Sequence, residues 1–145
     1  MACHSVAMMP KVELPSWPAG TVVILVTAGP RPHAIPVSAA LRAADDRVLL
    51  GLARSRESLR RLREDPQVTL AVCAHGCAFS ADGRATVVQE RLTDRVSAVE
   101  VHVSEIHDHM RATFELQEGP RWRWADPDAA RADAEVRAAL RHLVG

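Results

Sequence analysis

At 145 residues, 48% of them apolar, the chain is long enough to bury the core of one domain and too apolar for a disordered body. Its 18 basic and 18 acidic residues cancel to a formal net charge of zero, which argues against a nucleic-acid partner held by bulk charge. Tyrosine is absent, so catalysis by a tyrosyl hydroxyl is excluded.

Lys11 is the only lysine, and genome composition explains that arginine bias as readily as a need for planar recognition. The three cysteines, Cys3, Cys73 and Cys77, are an odd number and do not read as a disulfide framework. Cys73 and Cys77 lack the second pair of a thiolate zinc site, and both are expected as buried or loop thiols. Met1 to Pro15 has neither the basic start nor the apolar core of a signal peptide. The longest apolar run, around Val22 to Val26, is far too short to span a bilayer. The expectation is a soluble cytoplasmic protein without a membrane partner.

Residues 1–20, punctuated by Pro10, Pro15 and Pro18, read as an irregular segment lying over a domain that occupies residues 21–145. Thr21 to Thr27 is a β-branched run between Gly20 and Gly29-Pro30, and predicts a buried strand. Gly29-Pro30-Arg31-Pro32 is a turn, and His33 to Leu41 predicts a second strand that Pro36 demotes to an edge or a bulge. After a turn at Ala44 to Arg47, Val48 to Ala53 predicts a third strand, so the first fifty residues read as a three-stranded meander. A helix then follows: Ser55 suits the N-cap, Glu57 stands four residues before Arg61, Leu59 and Leu62 give a buried stripe, and Asp65-Pro66 stops it.

Gln67 to Cys73 predicts a fourth strand. Ala78 to Gln89, interrupted at Asp82-Gly83, is either a hairpin or one strand with a glycine bulge. Asp94 to Ser97 reads as a short helix or turn, and Ala98 to Ser104 alternates, with Val99, Val101 and Val103 on one face. Asp126-Pro127 opens a helix that runs to about residue 144, its buried face Ala132, Val136, Ala139, Leu140 and Leu143. About six strands with two helices, mostly joined by hairpins, predict a mainly β, α+β fold: a small antiparallel barrel.

The candidate chemistry lies where the third strand meets the first helix. A helix start presents free backbone N–H groups to an anion. Ser55 and Ser58 can add hydroxyl donors, and Arg54 and Arg56 can add charge-assisted bonds. The bland alternative is ordinary helix capping with a solvated basic face, since Arg56, Arg60 and Arg63 share one side and Glu57, Glu64 and Asp65 can neutralise them.

Other residues weigh less. His33 reads as a turn-edge histidine hydrogen-bonded to backbone. His102, His107 and His109 invite a metal reading, but His102 falls on a polar strand face and His107-Asp108-His109 reads as an exposed loop, so no metal site is assigned. Trp122 and Trp124, alternating with Arg121 and Arg123, form an amphipathic, strand-like stretch suited either to stacking on a ligand or to closing an interface.

The order of these elements resembles the pyridoxamine 5'-phosphate oxidase-like family of flavin-binding split barrels. The residues that carry the likeness are Ile35-Pro36-Val37-Ser38, the Arg/Ser helix start, Leu62-Arg63-Glu64-Asp65-Pro66-Gln67-Val68-Thr69-Leu70 and Asp82-Gly83-Arg84-Ala85-Thr86-Val87. It extends from about Leu14 to Ile106. The resemblance implies a split barrel and a homodimer with FMN in clefts between subunits. It places Pro36, Val37 and Ser38 along the isoalloxazine, and Leu52, Ala53, Arg54, Ser55, Arg56 and Ser58, with Arg60 and Arg61 in reserve, around the phosphate. His75, Trp122 and Trp124 of the partner subunit would shape the open ring face. Ser58 stands where the family commonly has a phosphate-binding lysine, and Arg61 where it commonly has an asparagine. The reading is therefore an FMN-binding oxidoreductase acting on a small organic substrate. The alternatives are a deazaflavin- or haem-binding relative, or a cofactor-free dimeric binding module.

Overall fold

Alternating apolar residues build the strands, and the computed structural model describes residues 11–144. The elements are β1 (Val23–Thr27), β2 (His33–Val37), β3 (Ala40–Ala44), β4 (Arg47–Ala53), α1 (Glu57–Glu64), β5 (Gln67–Ala74), β6 (Cys77–Gln89), β7 (Val96–Asp108) and α2 (Pro127–Val144). The strands form one antiparallel sheet of seven, in the order β2-β1-β5-β6-β7-β4-β3.

The second strand expected over His33 to Leu41 is two strands, on opposite edges of the sheet. Pro36 does sit on an edge, where its missing N–H costs no ladder bond. Beyond Val37 the chain crosses to the other edge through Ser38 and Ala39, and β3 then pairs with β4. The first fifty residues are therefore two hairpins rather than a meander. So short a link reaches about 10 Å at most, so the two sheet edges lie side by side. The sheet curls into a split barrel, and Gly51 N–H donates to Ala39 O at 2.9 Å, carrying the β3–β4 pairing into the link.

The inward face carries the core. Val23, Leu25, Val48, Leu50, Leu70, Ala81, Val99 and Val101 are almost completely buried, with Leu59 and Leu62 of α1 closing one end. Leu14 and Trp17 pack on the same core from the irregular segment at residues 11–20; the expectations for Cys3 and Pro10 fall outside the described residues.

Helix α1 stops at Asp65, whose extended backbone (φ −137°, ψ 108°) suits the residue before a proline. The Asp65 carboxylate accepts the Gln67 N–H at 3.1 Å and starts β5. The segment from Ala78 to Gln89 is a single strand with an irregularity at Asp82/Gly83, not a hairpin. Residues 91–95 are turns, so of the two readings of Asp94 to Ser97 the helix is absent, and Val96 and Ser97 already belong to β7.

Helix α2 starts as expected, with the Asp126 carboxylate accepting the Asp128 N–H at 2.9 Å. Its buried face is narrower than expected. Val136 and Leu140 are buried against Ala39, Leu49 and Ala98, whereas Ala132 and Leu143 are exposed. The helix lies on the outside of the barrel over β3 and β4, so only one thin stripe meets the sheet. No helix among the described residues is long and apolar enough to cross a membrane.

Candidate functional site

The chain leaves β4 at Ala53 and turns through Arg54 and Ser55, with Arg56 N–H donating to Ala53 O at 2.9 Å. Arg56, not Ser55, is the N-cap of α1; its backbone is extended (φ −70°, ψ 139°) and no side chain caps the helix. Ser55 misses the role because the tight turn ends one residue later than the sequence suggests. The N–H groups of the first turn therefore have no side-chain acceptor, the condition under which a helix start receives an anion.

The arginines around this start differ in what already holds them. Arg54 donates to Asp94 O at 3.3 Å. Arg60 pairs with Glu57 and Glu64, each at 3.3 Å. Arg61 pairs with Glu57 at 2.8 Å and also donates to Gly29 O and Arg31 O, and it is not part of the lining of the cavity described below. Arg63 pairs with Glu90. Arg56 has no such partner among the described residues. The Arg61 hydrogen bond, then its charge, hold the Glu57 carboxyl below its ordinary value, so Glu57 stays ionised and turned toward the arginines.

A cavity of about 420 Å³ opens beside this junction. Ile35, Pro36 and Val37 of β2 and Leu52 and Ala53 of β4 line its barrel side, and its charged lining is mixed, with Arg56 and Arg95 beside Asp94 and Glu135. Trp124 and the α2 residues Asp133 and Val136 form the opposite wall. Ser38 is the pivot: its hydroxyl donates to Asp133 Oδ1 at 2.9 Å, and its carbonyl accepts from Arg137 at 3.0 Å.

Of the residues expected at a cofactor, Pro36, Val37, Ser38, Leu52, Ala53, Arg56 and Trp124 share this cavity. Arg54, Ser55 and Arg60 line an adjoining hollow that has Arg56 in common with it. Arg61 is drawn to the Gly29–Arg31 turn. Ser58 is 1% exposed and faces the core, its hydroxyl without a hydrogen-bond partner.

His75 lies at the β5–β6 turn, outside the cavity lining, where its Nδ1–H donates to Gln117 O at 2.7 Å and ties down the segment before α2. Trp122 donates to Gly20 O at 2.9 Å and meets Trp124 edge to face at 5.3 Å. Residues 121–124, read as strand-like, join neither edge of the sheet.

The sequence reading passed over Arg95, Asp133 and Val136. Arg95 lies in a stretch read only as a short helix or turn, and the two α2 residues look like ordinary helix until the fold lays α2 over β3 and β4, across the cavity from β2. A faint signal for Asp133 exists in its spacing of four from Arg137, which forms an ion pair at 2.8 Å. Away from the cavity, Cys73 is exposed on β5 rather than buried, and burial pushes the Cys77 thiol up. The His33 ring makes no hydrogen bond among the described residues; its carbonyl accepts from the Thr27 side-chain hydroxyl at 3.3 Å.

Neither protein-family models nor characterised sequences match the chain. Solved structures do match its fold. A candidate pyridoxamine 5'-phosphate oxidase from Listeria innocua superimposes with a TM-score of 0.52 at 14% identity, over 61% of this chain and 88% of that one. BorF, the flavin reductase component of a bacterial two-component tryptophan halogenase, gives 0.54 at 12% identity, over 63% and 81%. An F420 reductase gives 0.53 at 10% identity, over 61% and 90%. The fold is thus the split barrel of pyridoxamine 5'-phosphate oxidase-like proteins, as the motif order implied.

Proposed function

We propose that the protein is a homodimeric, FMN-binding oxidoreductase acting on a small organic substrate. The observation that carries this reading is Arg56: a cation with no partner among the described residues, at a helix start without a side-chain cap, on the rim of a 420 Å³ cavity. Cofactor pockets span about 300–1,000 Å³, with mostly apolar walls and few polar groups. The residues present fit a flavin mononucleotide. Ile35, Pro36, Val37 and Leu52 offer apolar wall to a flat ring, and the α1 N–H groups with Arg56 and Arg95 offer donors to a phosphate.

A bound flavin supplies hydride transfer. The chain's own contribution is to hold the phosphate at the start of α1, orient the ring along β2, and keep water from one ring face with Trp124 and Val136. A partner subunit adds the remaining wall, on the side where the substrate or a nicotinamide donor enters. A solved F420 reductase of the same fold makes a deazaflavin the nearest competing cofactor.

Titration of the purified protein with FMN, followed by flavin fluorescence and absorption, tests the reading. Saturable binding is expected, and Arg56→Ala is expected to weaken it about tenfold or more, the loss typical of a charged hydrogen bond, while the melting temperature of the free protein stays unchanged. Arg60→Ala, whose partners are both helical carboxylates, is expected to leave affinity unchanged. A protein that ignores FMN but binds F420 or haem shifts the reading to that cofactor, and one that binds none of the three is a cofactor-free module.

A further inference from the structure

On the outer face of the sheet, away from the cavity, Asp82 of β6 and Glu105 and His107 of β7 bring one ligand atom each within 4.8 Å of the others. We propose that these three residues bind a divalent first-row transition ion, of the zinc or manganese kind. The proposal stands independently of the flavin reading.

The local sequence argues against such a cluster, and a bulge creates it. Val99, Val101 and Val103 point inward, so unbroken alternation would send Glu105 into the core with them. Instead, Gly83 pairs with Val103 whereas Asp82 pairs with Glu105, so Ser104 is one residue too many on β7. After this extra residue the alternation is reversed. Ile106 packs toward the core, and Glu105 and His107 turn outward beside Asp82. Gly83 allows the close approach: a Cβ there would collide with the carbonyl oxygen of His102. His107 therefore belongs to a strand, not to the exposed loop that its sequence neighbours suggest.

The distances suit a shared cation as well as a hydrogen bond. His107 Nε2 stands 3.2 Å from Asp82 Oδ2 and 3.4 Å from Glu105 Oε1. One N–H can point well at only one of two acceptors: the Asp82 contact is within hydrogen-bond range, and the 3.4 Å to Glu105 is beyond it. Ligand atoms about 2.0–2.2 Å from a common ion stand about 2.9–3.5 Å apart, from a square to a tetrahedral edge.

A supporting contact is also in place: Thr69 of β5 donates to Asp82 Oδ1 at 2.7 Å, fixing the carboxylate with Oδ2 toward His107. An imidazole with two carboxylates suits zinc or manganese better than magnesium or calcium, which prefer oxygen alone. Three protein ligands leave at least one position open, next to a hollow lined by Thr69, Asp82, Arg84 and Ser104. His109, by contrast, is engaged by Ser80 Oγ at 3.0 Å and stays outside the set.

The test is calorimetric titration of the full-length, flavin-free protein, stripped with a chelator, with Zn²⁺. One ion per chain is expected at this site. Asp82→Asn and His107→Gln, both on an exposed strand face, are expected to lower its affinity at least about tenfold, and Thr69→Val to lower it by about tenfold while leaving the metal-free melting temperature near that of the parent. Addition of Mn²⁺ should broaden the nuclear magnetic resonance signals of Asp82, Glu105 and His107 before any others. Failure to take up Zn²⁺, or uptake undiminished in the Asp82→Asn/His107→Gln double variant, overturns the proposal. Neither result bears on FMN binding.

Discussion

Ser38 and Asp133, ninety-five residues apart, share a 2.9 Å hydrogen bond that fastens the C-terminal helix to the link between the two edge strands. The same Ser38 receives Arg137 on its carbonyl, and Arg137 Nε lies 2.8 Å from Asp133 Oδ2. Ser38 and Asp133 both line the cavity, so what holds α2 in place also shapes the wall opposite β2. Ser38→Ala removes one donor and is expected to cost about 1 kcal/mol. Asp133→Ala also leaves the half-buried Arg137 without its carboxylate and is expected to cost about 2 kcal/mol. Urea unfolding measures both, and hydrogen exchange should show the loss concentrated in α2. Equal protection of α2 in parent and variants would sink the idea that Ser38 is its fastening.

Gly51 is the second point at which α2 depends on the sheet. A Cβ there would stand 2.5 Å from Val136 Cγ1 and 3.3 Å from Val96 Cγ1. Val136 is buried and cannot yield without lifting the helix. Gly51→Ala is therefore expected to destabilise by about 1–3 kcal/mol through overpacking. Val136→Ala in the same chain should return part of that loss, because it removes the methyl groups in the way. A double variant no more stable than Gly51→Ala would place the strain elsewhere.

Acid should loosen the chain from two identifiable pairs. Arg42 holds Asp45, and Arg61 holds Glu57, below their ordinary values of 3.8 and 4.5. A carboxyl lowered by folding stabilises the fold fully above its unfolded pKa and loses that contribution as pH falls through its folded one. The melting temperature is thus expected to be flat from neutral pH down to about 5, then to fall. Glu57→Gln should flatten that fall, and added salt should do so partly, since both carboxylates are exposed. A Glu57→Gln profile that overlays the parent would show that the Arg61 pair contributes nothing.

What could be read in the sequence followed from local rules. Val99, Val101 and Val103 announce one buried face, Asp65-Pro66 announces a helix end, and Asp126-Pro127 a helix start; each is decided within a few residues. What escaped depends on partners far along the chain. The break at Ser38 cannot be seen locally, because the residues on either side are equally strand-like and only closure of the barrel separates them. Glu105 was assigned to no site because its direction is set by the register of β6 against β7. Arg56 stood out among its neighbouring arginines only once Glu57, Glu64 and Glu90 were seen to occupy the others.

Ser58 sets two accounts of the α1 junction against each other. Its hydroxyl is buried, unpaired and on the core face of the helix with Leu59 and Leu62. A buried hydroxyl without a partner costs stability, and its removal relieves that cost without opening a cavity larger than one oxygen. Alanine also favours the helix more than serine does. Ser58→Ala is therefore expected to stabilise the free protein by about 0.5–1 kcal/mol and to leave FMN affinity within about twofold. If serine has taken over the anion-holding part that the family resemblance gives to a lysine at this position, the outcome reverses: affinity falls about tenfold, as expected for Arg56→Ala, with no gain in stability. Unfolding and flavin titration on this one variant therefore decide whether the phosphate of the proposed FMN would be held by the hydroxyl inside α1 or by the guanidinium at its start.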